Sequence, residues 1–412
     1  MIARRYPAPV QEPLGPDGAV ERWAASGAMA LTGLPERPLG PPDGLVEGME
    51  RLGARFAGLD ALALLGERAV HMGLWRRGSI SCGGSCRLFP SADCWLAVSL
   101  PRAEDMELVP AWLELDGAPR SAPAAWSEVA RQVASQPARE LLARAELLGL
   151  PVARVGEAIG GVGVTRTQLG DAAMLDVRDA LVVDLSALWA GPLCGELLAR
   201  LGASVVKVES TARPDGARRG PRAFFDLLNG RKRSVAFDFK AARDVQMLHE
   251  LVRHAHVVIE ASRPRALAQL GVDIMDVVRV GGPQVWISVT GYGRTPYDGR
   301  RVAFGDDAAA AGGLVVWAEA PGGASPMFCA DAVADPLAGL TAANACLDAL
   351  DEGGRWLLDV SMSGVCAALS GPTLPVPTGV VPAQPRARRV DVQAPELGAD
   401  TVWAVEAFGL GN

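Results

Sequence analysis

The sequence predicts an α/β protein whose main part is a doubly wound, mostly parallel, Rossmann-like sheet, accompanied by a smaller α/β part. Between Ala180 and Val360, short runs of consecutive apolar residues alternate with segments of helical periodicity, which is typical of parallel strands buried on both faces. The chain has 412 residues, 49% hydrophobic and 21% charged. This length suits two or three domains, and the composition excludes disorder for most of the chain.

The large part is predicted element by element. Ala180–Leu185 is a continuous apolar strand, and Gly191 and Pro192 then open a helix that stops at Gly202. Ligands bind such sheets at the carboxyl ends of the strands. The further predicted strands are Ser204–Glu209, Val235–Phe239, His256–Glu260, Gln284–Thr290 and Arg355–Val360, and the helices are Ala241–His254, Pro264–Leu270 and Asp335–Leu350.

Composition divides the chain into five predicted segments. Glycines and prolines mark the boundaries, because they interrupt helices and strands. We expect a flexible lead-in at 1–20, a small α/β domain with a helical segment at 21–155, a linker at 156–175, a large ligand-binding domain at 176–370, and a Pro-rich loop and tail at 371–412.

Charge and cysteine content exclude several classes of protein. A net charge of −7 argues against a nucleic acid or an anionic membrane as the main partner. No stretch reaches the roughly 20 apolar residues of a membrane helix, and no signal-peptide core follows the first basic residues. Seven cysteines, an odd number, fit reduced thiols better than a disulfide framework. We therefore expect a cytoplasmic protein.

Common site motifs are absent from the sequence. Cys82, Cys86 and Cys94, with His71 upstream, match no usual zinc spacing, and Cys82–Cys86 is typical of a small-residue turn. Gly160–Gly163 is the nearest approach to a dinucleotide fingerprint, but it does not join a strand to a helix. We therefore expect neither a metal nor a nicotinamide cofactor.

Six short motifs remain, and their order is informative. They are Val183–Pro192, Leu201–Glu209, Asn229–Lys240, Val257–Pro264, Ile287–Gly293 and Ala334–Gly339. Together they resemble the class III coenzyme A-transferase family, which includes formyl-CoA and carnitine-CoA transferases and the α-methylacyl-CoA racemases. The resemblance runs from about Ala180 to Leu369. It implies an enzyme that moves CoA between an acyl-CoA and a carboxylic acid, two small-molecule substrates, without a metal.

The resemblance implies that Asp335 is the nucleophile, which attacks the thioester to give a mixed anhydride and then an aspartyl-CoA thioester. From the residues alone, Asp335 followed by Pro336 is equally typical of a helix N-cap with no chemistry. At a helix N-terminus we expect its carboxylate to be ionised. Asp331, four residues earlier, is the second candidate.

The same resemblance assigns nine residues to the CoA moiety. Lys240 and Arg263 suit phosphates as cations, whereas an ordinary solvated basic face is the alternative explanation for Arg218. The nine are Leu188, Trp189 and Ala190 at the pantetheine and thiol end, Phe237 and Lys240 near the nucleotide, and Asp215, Arg218, Arg263 and Tyr292.

One departure separates the possible reactions. Racemases of this family carry a histidine where this chain has Asp306. Racemisation needs two groups whose pKa values straddle the operating pH, and an imidazole supplies one of them naturally. We therefore favour transfer, with a racemase-like enzyme or a non-catalytic acyl-CoA-binding protein as alternatives.

Segment order is the second departure. In the family, a small domain with a "D-G-W-x-A-V" strand follows the catalytic helix, but the similar Ser91–Val98 precedes it here. The resemblance therefore implies the family fold in a circularly permuted order, which is tolerated when chain termini lie close together. It also implies an interlocked homodimer.

Overall fold

The computed structural model describes residues 18–262, 264–279, 281–320 and 323–411. Its largest element is a seven-stranded sheet in the order β4-β12-β9-β8-β5-β6-β7, parallel except for β4. A three-stranded antiparallel sheet (β1-β2-β3) and a hairpin (β10-β11) accompany it. The strands are β1 Cys86–Pro90, β2 Trp95–Ser99, β3 Val152–Arg154, β4 Val164–Gly170, β5 Leu181–Asp184, β6 Ser204–Ser210, β7 Arg233–Phe237, β8 Val257–Glu260, β9 Val285–Thr290, β10 Val316–Ala320, β11 Gly323–Met327 and β12 Arg355–Ser361.

Helices connect these strands and cover both faces of the large sheet. They are α1 Ala19–Ser26, α2 Leu45–Gly53, α3 Glu67–Met72, α4 Ala103–Glu107, α5 Val109–Leu113, α6 Ala122–Ser135, α7 Ala138–Leu148, α8 Ala190–Arg200, α9 Arg222–Asn229, α10 Ala242–His254, α11 Pro264–Gln269, α12 Ile274–Arg279, α13 Gly305–Ala311, α14 Ala334–Glu352, α15 Met362–Ala367 and α16 Thr401–Phe408. Among the described residues, none of these helices has the length and apolar character needed to cross a bilayer.

The doubly wound sheet confirms the predicted fold class. The chain runs from β5 outward to β6 and β7, then returns to β8 on the other side of β5. Successive residues of a strand point to opposite faces, so Val182 packs in the core beneath α8 and α14, whereas Val183 packs in the core beneath α10. The reversal of strand order beside β5 opens a crevice at the carboxyl ends of the strands.

The segment expected to be a linker contains an edge strand. Val164–Gly170 pairs antiparallel with β12, from Val360 opposite Val164 to Arg355 opposite Gly170. The linker prediction is therefore wrong over these residues. The strand carries mostly polar, exposed side chains, as edge strands commonly do. Because it lacks an apolar run and lies among glycines, the sequence pattern did not indicate a strand.

The predicted small domain divides into two parts. Strands β1–β3 and helices α5–α7 enclose a core of their own, to which Trp112, Trp126 and Leu141 contribute. Residues of α1 and α2, among them Trp23 and Met49, belong instead to the core of the large sheet. The first part of the chain therefore packs directly on the large sheet.

The C-terminal segment ends in a helix that covers the sheet edge. Its first residues pair with free backbone groups of β7: Asp400 Oδ2 accepts from the Ser234 N–H at 2.8 Å, and Thr401 Oγ1 accepts from the Ala236 N–H at 3.0 Å. Edge strands need such cover because their unpaired N–H groups otherwise invite association. The tail prediction missed α16.

Candidate active site

A cavity of about 230 Å³ opens at the carboxyl ends of β5, β8 and β9. It lies where the strand order reverses, the place that the fold class predicts for a ligand. Its walls include Arg102, Leu188, Ala190, Ala261, Ser262, Thr290, Gly291, Arg301, Phe304, Asp335 and Met362.

Asp335 is one of two aspartates, with Asp298, that line this cavity. It lies in the first turn of α14, which begins at Ala334, and its carboxylate accepts a hydrogen bond from the Ala190 N–H. The N-cap residue of α14 is Val333 and not Asp335, so the N-cap alternative is wrong. Burial raises the pKa of Asp335 to about 7. Burial therefore opposes the stabilisation of the carboxylate that we expect from the helix N-terminus.

Two further aspartates and one arginine surround this carboxylate. We name Asp306, Asp331 and Asp335 the acidic cluster. Asp331 is fully buried and is held by a fork from Arg68 of α3, with Nε at 2.9 Å from Oδ2 and Nη2 at 2.5 Å from Oδ1. Burial raises the pKa of Asp306 to about 6, while Arg68 lowers it. The cluster thus holds two carboxyl groups that titrate near neutral pH.

The loop before α14 is held in an unusual conformation. Ala330 and Ala332 have φ values of 55° and 46°, a left-handed conformation that costs an L-residue about 1–2 kcal/mol. Two hydrogen bonds secure it: the Ala330 N–H donates to Thr32 Oγ1 at 2.9 Å, and the Ala332 N–H donates to Asp306 Oδ1 at 3.1 Å. Such strain concentrates at functional sites, and here it sets the direction in which the chain enters α14.

A second strained turn forms the opposite wall. Leu188 has a φ of 69°, and its N–H donates to Asp215 Oδ1 at 3.0 Å. Asp215 is buried and paired with the buried Lys207 at 2.9 Å, and Lys207 also donates to the Ser186 carbonyl at 2.9 Å. Asp215 therefore holds the turn through the Leu188 N–H and does not itself line the cavity, and its predicted contact with CoA stays a prediction.

Trp189 packs beneath this turn. Its side chain is 2% exposed and meets Phe224 edge to face, with ring centroids 5.1 Å apart. The Arg68 guanidinium lies 5.5 Å from the indole centroid. The predicted Leu188, Trp189 and Ala190 thus come together with Asp335, but only Leu188 and Ala190 line the cavity.

Phe237, Arg218 and Lys240 are not among the residues that line the cavity. Phe237 is fully buried in the core beneath α10, so its side chain is not free to contact a ligand. Arg218 forms a fork with Glu209, with Nη2 and Oε2 2.6 Å apart, instead of a solvated face. Lys240 is exposed on the turn after β7, and Arg263 lies outside the described residues.

Tyr292 does not line the cavity, but it packs against a residue that does. Arg301, a cavity residue, lies over its ring at 3.6 Å, and burial raises the pKa of the Tyr292 hydroxyl. Within the described residues this hydroxyl has no hydrogen-bond partner.

Three arginines of the site were missed from the sequence. Arg68 and Arg102 lie in the first part of the chain, far from the six motifs, and Arg301 follows the fifth motif. A single arginine carries no spacing signal, so only the tertiary structure shows that Arg102 and Arg301 line the cavity and that Arg68 pairs with Asp331.

The cysteine-rich segment forms the expected turn. The Ser81 N–H donates to the Cys86 carbonyl at 2.9 Å, and Cys82, Cys86 and Cys94 are free thiols. Over the described ranges, no group of three or more His, Cys, Asp or Glu side chains is arranged to hold a metal ion. Ser81 hydrogen bonds to Asp306 and thereby joins this turn to the acidic cluster.

Comparison with known proteins places the matched region within one family. The model of CoA-transferase family III matches residues 177–401. An acyl-CoA transferase of Fusarium pseudograminearum is 34% identical over 32% of this chain and 33% of its own length. A succinyl-CoA–D-citramalate CoA-transferase of Chloroflexus aurantiacus is 31% identical over 33% of this chain and 36% of its own. The chain thus matches about a third of the length of these relatives.

Solved structures include a similar chain. A CAIB/BAIF family protein from Brucella suis aligns with a TM-score of 0.43 at 28% identity, over 48% of this chain and 56% of that one.

Proposed function

Because this chain belongs to CoA-transferase family III, we propose that it transfers coenzyme A between an acyl-CoA thioester and a carboxylic acid, with Asp335 as the nucleophile. The observation that carries the proposal is the position of Asp335. Its carboxylate lines a cavity at the carboxyl edge of the sheet and accepts the Ala190 N–H from the opposite wall. A nucleophile needs this combination of access and fixed orientation.

In the first half-reaction, an Asp335 oxygen attacks the thioester carbonyl carbon. The C–S bond breaks, CoA leaves as the thiolate, and a mixed anhydride remains. The thiolate then attacks the aspartyl carbonyl carbon, the C–O bond of the anhydride breaks, and the donor acid leaves as a carboxylate. The product is an aspartyl-CoA thioester, which retains the activation of the original thioester.

In the second half-reaction, the acceptor carboxylate attacks the aspartyl thioester and releases the CoA thiolate. This thiolate attacks the acyl carbon of the new anhydride, which frees the Asp335 carboxylate and yields the new acyl-CoA. No proton has to be transferred at any of these steps, so the reaction does not depend on a general acid or base. It depends instead on a site that keeps water away from the activated intermediates.

Two arginines support a carboxylic acid as acceptor. Arg102 and Arg301 line the same cavity as Asp335, and guanidinium groups bind carboxylates strongly. Each guanidinium is held in place by an acidic side chain, Arg102 by Asp105 at 2.9 Å and Arg301 by Glu157. These positive groups attract an acceptor carboxylate to the cavity that Asp335 lines.

The direct test incubates the protein with succinyl-CoA and a panel of free carboxylic acids and follows new acyl-CoA species by liquid chromatography with mass detection. We expect an Asp335-dependent product for at least one acid, and Asp335→Asn and Asp335→Ala to abolish it. CoA binding by calorimetry without any exchange would instead favour a binding protein. The homodimer, which the family resemblance implies, is tested separately by light scattering after gel filtration.

A racemase-like reaction is the second candidate, and one observation favours it. Asp306 has a pKa of about 6 and Asp335 a pKa of about 7, so two acids of the cluster could exchange protons near neutral pH. Deuterium incorporation at the α-carbon of a 2-methylacyl-CoA in heavy water, without CoA transfer, would support racemisation and reject transfer.

A further inference from the structure

We propose that Arg68 is a positioning residue of the transfer reaction, which holds Asp331 and favours the carboxylate form of Asp335 that attacks the thioester. The inference rests on the proposed function, because it assigns a role within the same reaction. Arg68 comes from α3, outside the region 177–401 that the family model matches. The first part of the chain thereby contributes to the chemistry of the second.

The geometry of Arg68 supports this role. Its fork on Asp331 uses Nε and Nη2, a bidentate arrangement that fixes the plane of the guanidinium. The same group lies near the indole of Trp189, which precedes the Ala190 N–H that holds Asp335. Arg68 therefore touches both walls of the site, the loop before α14 and the turn after β5.

The charges around Asp335 show what the guanidinium does. Burial is the largest cause that raises the pKa of Asp335, and Asp306 from α13 and Asp331 from the loop before α14 raise it further, while Arg68 from α3 and the Ala190 N–H from α8 lower it. The Cys366 thiol of α15 also faces Asp335. Burial alone would lower the pKa of Arg68, but the three carboxylates raise it, so the guanidinium remains charged. Arg68 is the cation that opposes the two neighbouring carboxylates.

A purely structural role for Arg68 is the alternative, and the same helix offers a matched control. Glu67, the preceding residue, is fully buried and forms a fork with Arg388, with Nε–Oε1 and Nη2–Oε2 distances of 2.6 and 2.9 Å. Glu67 and Arg388 are not part of the cavity lining. Loss of either fork loosens α3, but only loss of Arg68 changes the charge beside Asp335.

The test compares pH profiles of kcat/KM for CoA transfer in the wild type, Arg68→Met, Arg68→Lys and Arg388→Met. We expect the acid limb of the kcat/KM profile of Arg68→Met to lie at least one pH unit higher than that of the wild type. On that limb kcat/KM is then tenfold lower at a given pH, and it recovers at high pH. Arg68→Lys keeps the charge and shifts less, and Arg388→Met leaves the limb in place. Asp331→Asn moves the limb to lower pH. An unmoved limb in the folded Arg68 variants would overturn the proposal.

A second measurement is independent of turnover. Carbon-13 NMR of protein labelled at the aspartate carboxyl carbons, with Asp335→Asn to assign the signal, follows the titration of Asp335 directly. A higher midpoint in Arg68→Met than in the wild type, with a smaller shift in Arg68→Lys, supports the role of Arg68, and an equal midpoint in Arg68→Met rejects it. A wild type that titrates as expected but transfers no CoA would reject the proposed function alone.

Discussion

Gly305 offers a sharp test of the position of Asp335. It is the first residue of α13, and a Cβ added there would lie 2.7 Å from both the Cβ and the carbonyl oxygen of Ala332, and closer still to an Asp335 carboxylate oxygen. The backbone at Gly305 is not left-handed, so an alanine is excluded by contact and not by its own conformation. Gly305→Ala must therefore displace the loop before α14 and the Asp335 side chain.

The size of the effect follows from these contacts. Overpacking of this kind costs about 1–3 kcal/mol of stability, and a displacement of a reacting group by ~1 Å lowers the rate by about 10²-fold. We expect Gly305→Ala to remain folded, to unfold at a lower urea concentration than the wild type, and to have a kcat for CoA transfer about 100-fold below that of the wild type.

The matched control is Gly117→Ala, where nothing lies within 4 Å of the added Cβ. This variant should keep wild-type activity and stability in the same urea and transfer assays. A Gly305→Ala protein with wild-type kcat and wild-type stability would refute the close approach of Gly305 to Asp335, and with it the geometry on which the nucleophile assignment depends.

Three further predictions concern the buried charges. Because the attacking Asp335 must be ionised and its pKa is about 7, kcat/KM for transfer should rise with pH through about 7; a profile that is flat across this region would contradict the assignment. The folded-state pKa of Asp335 lies above its ordinary value, so this group favours folding at low pH, and that contribution is lost as the pH rises through about 7. The free energy of unfolding of Asp335→Asn, measured in urea near pH 8, should therefore exceed that of the wild type by about 2–4 kcal/mol. Near pH 4 this difference should vanish. Asp215→Asn leaves Lys207 buried without its ion-pair partner, so it should lower the free energy of unfolding by about 3–5 kcal/mol and raise the KM for acyl-CoA. The double variant with Lys207→Met should recover part of this stability. If the losses of the two single variants were fully additive in the double variant, the pairing would be contradicted.

The large sheet was predictable because its signal is local. Val182 and Val183 stand in a run of apolar residues that only a strand buried on both faces explains, and the structure places them in the two cores. Strand β4 was not predictable in the same way, because its exposed polar residues lie between glycines. Helix α16 was missed since it follows a long Pro-rich segment, and its role depends on the edge of β7.

The site was predictable where it rests on contiguous motifs. The motif that contains Leu188 and Ala190 and the motif that contains Asp335 meet at the cavity. Asp215 was assigned to the ligand from the motif that it matches, and its buried ion pair with Lys207 is visible only in the structure. Arg68 lies 263 residues from its partner Asp331, and no local sequence pattern predicts an ion pair between residues so far apart.

The central claim is that Asp335 carries CoA during turnover, and the most direct test traps that intermediate. The protein is incubated with an acyl-CoA that supports exchange, hydroxylamine is added, and the Asp335 peptide is analysed by mass spectrometry. Hydroxylamine attacks the aspartyl thioester, forms the aspartyl hydroxamate and releases CoA. We predict the hydroxamate at Asp335 alone, only when acyl-CoA is present, and not in Asp335→Asn. Transfer of CoA with Asp335 unmodified, or with the hydroxamate at Asp331 instead, would contradict the account.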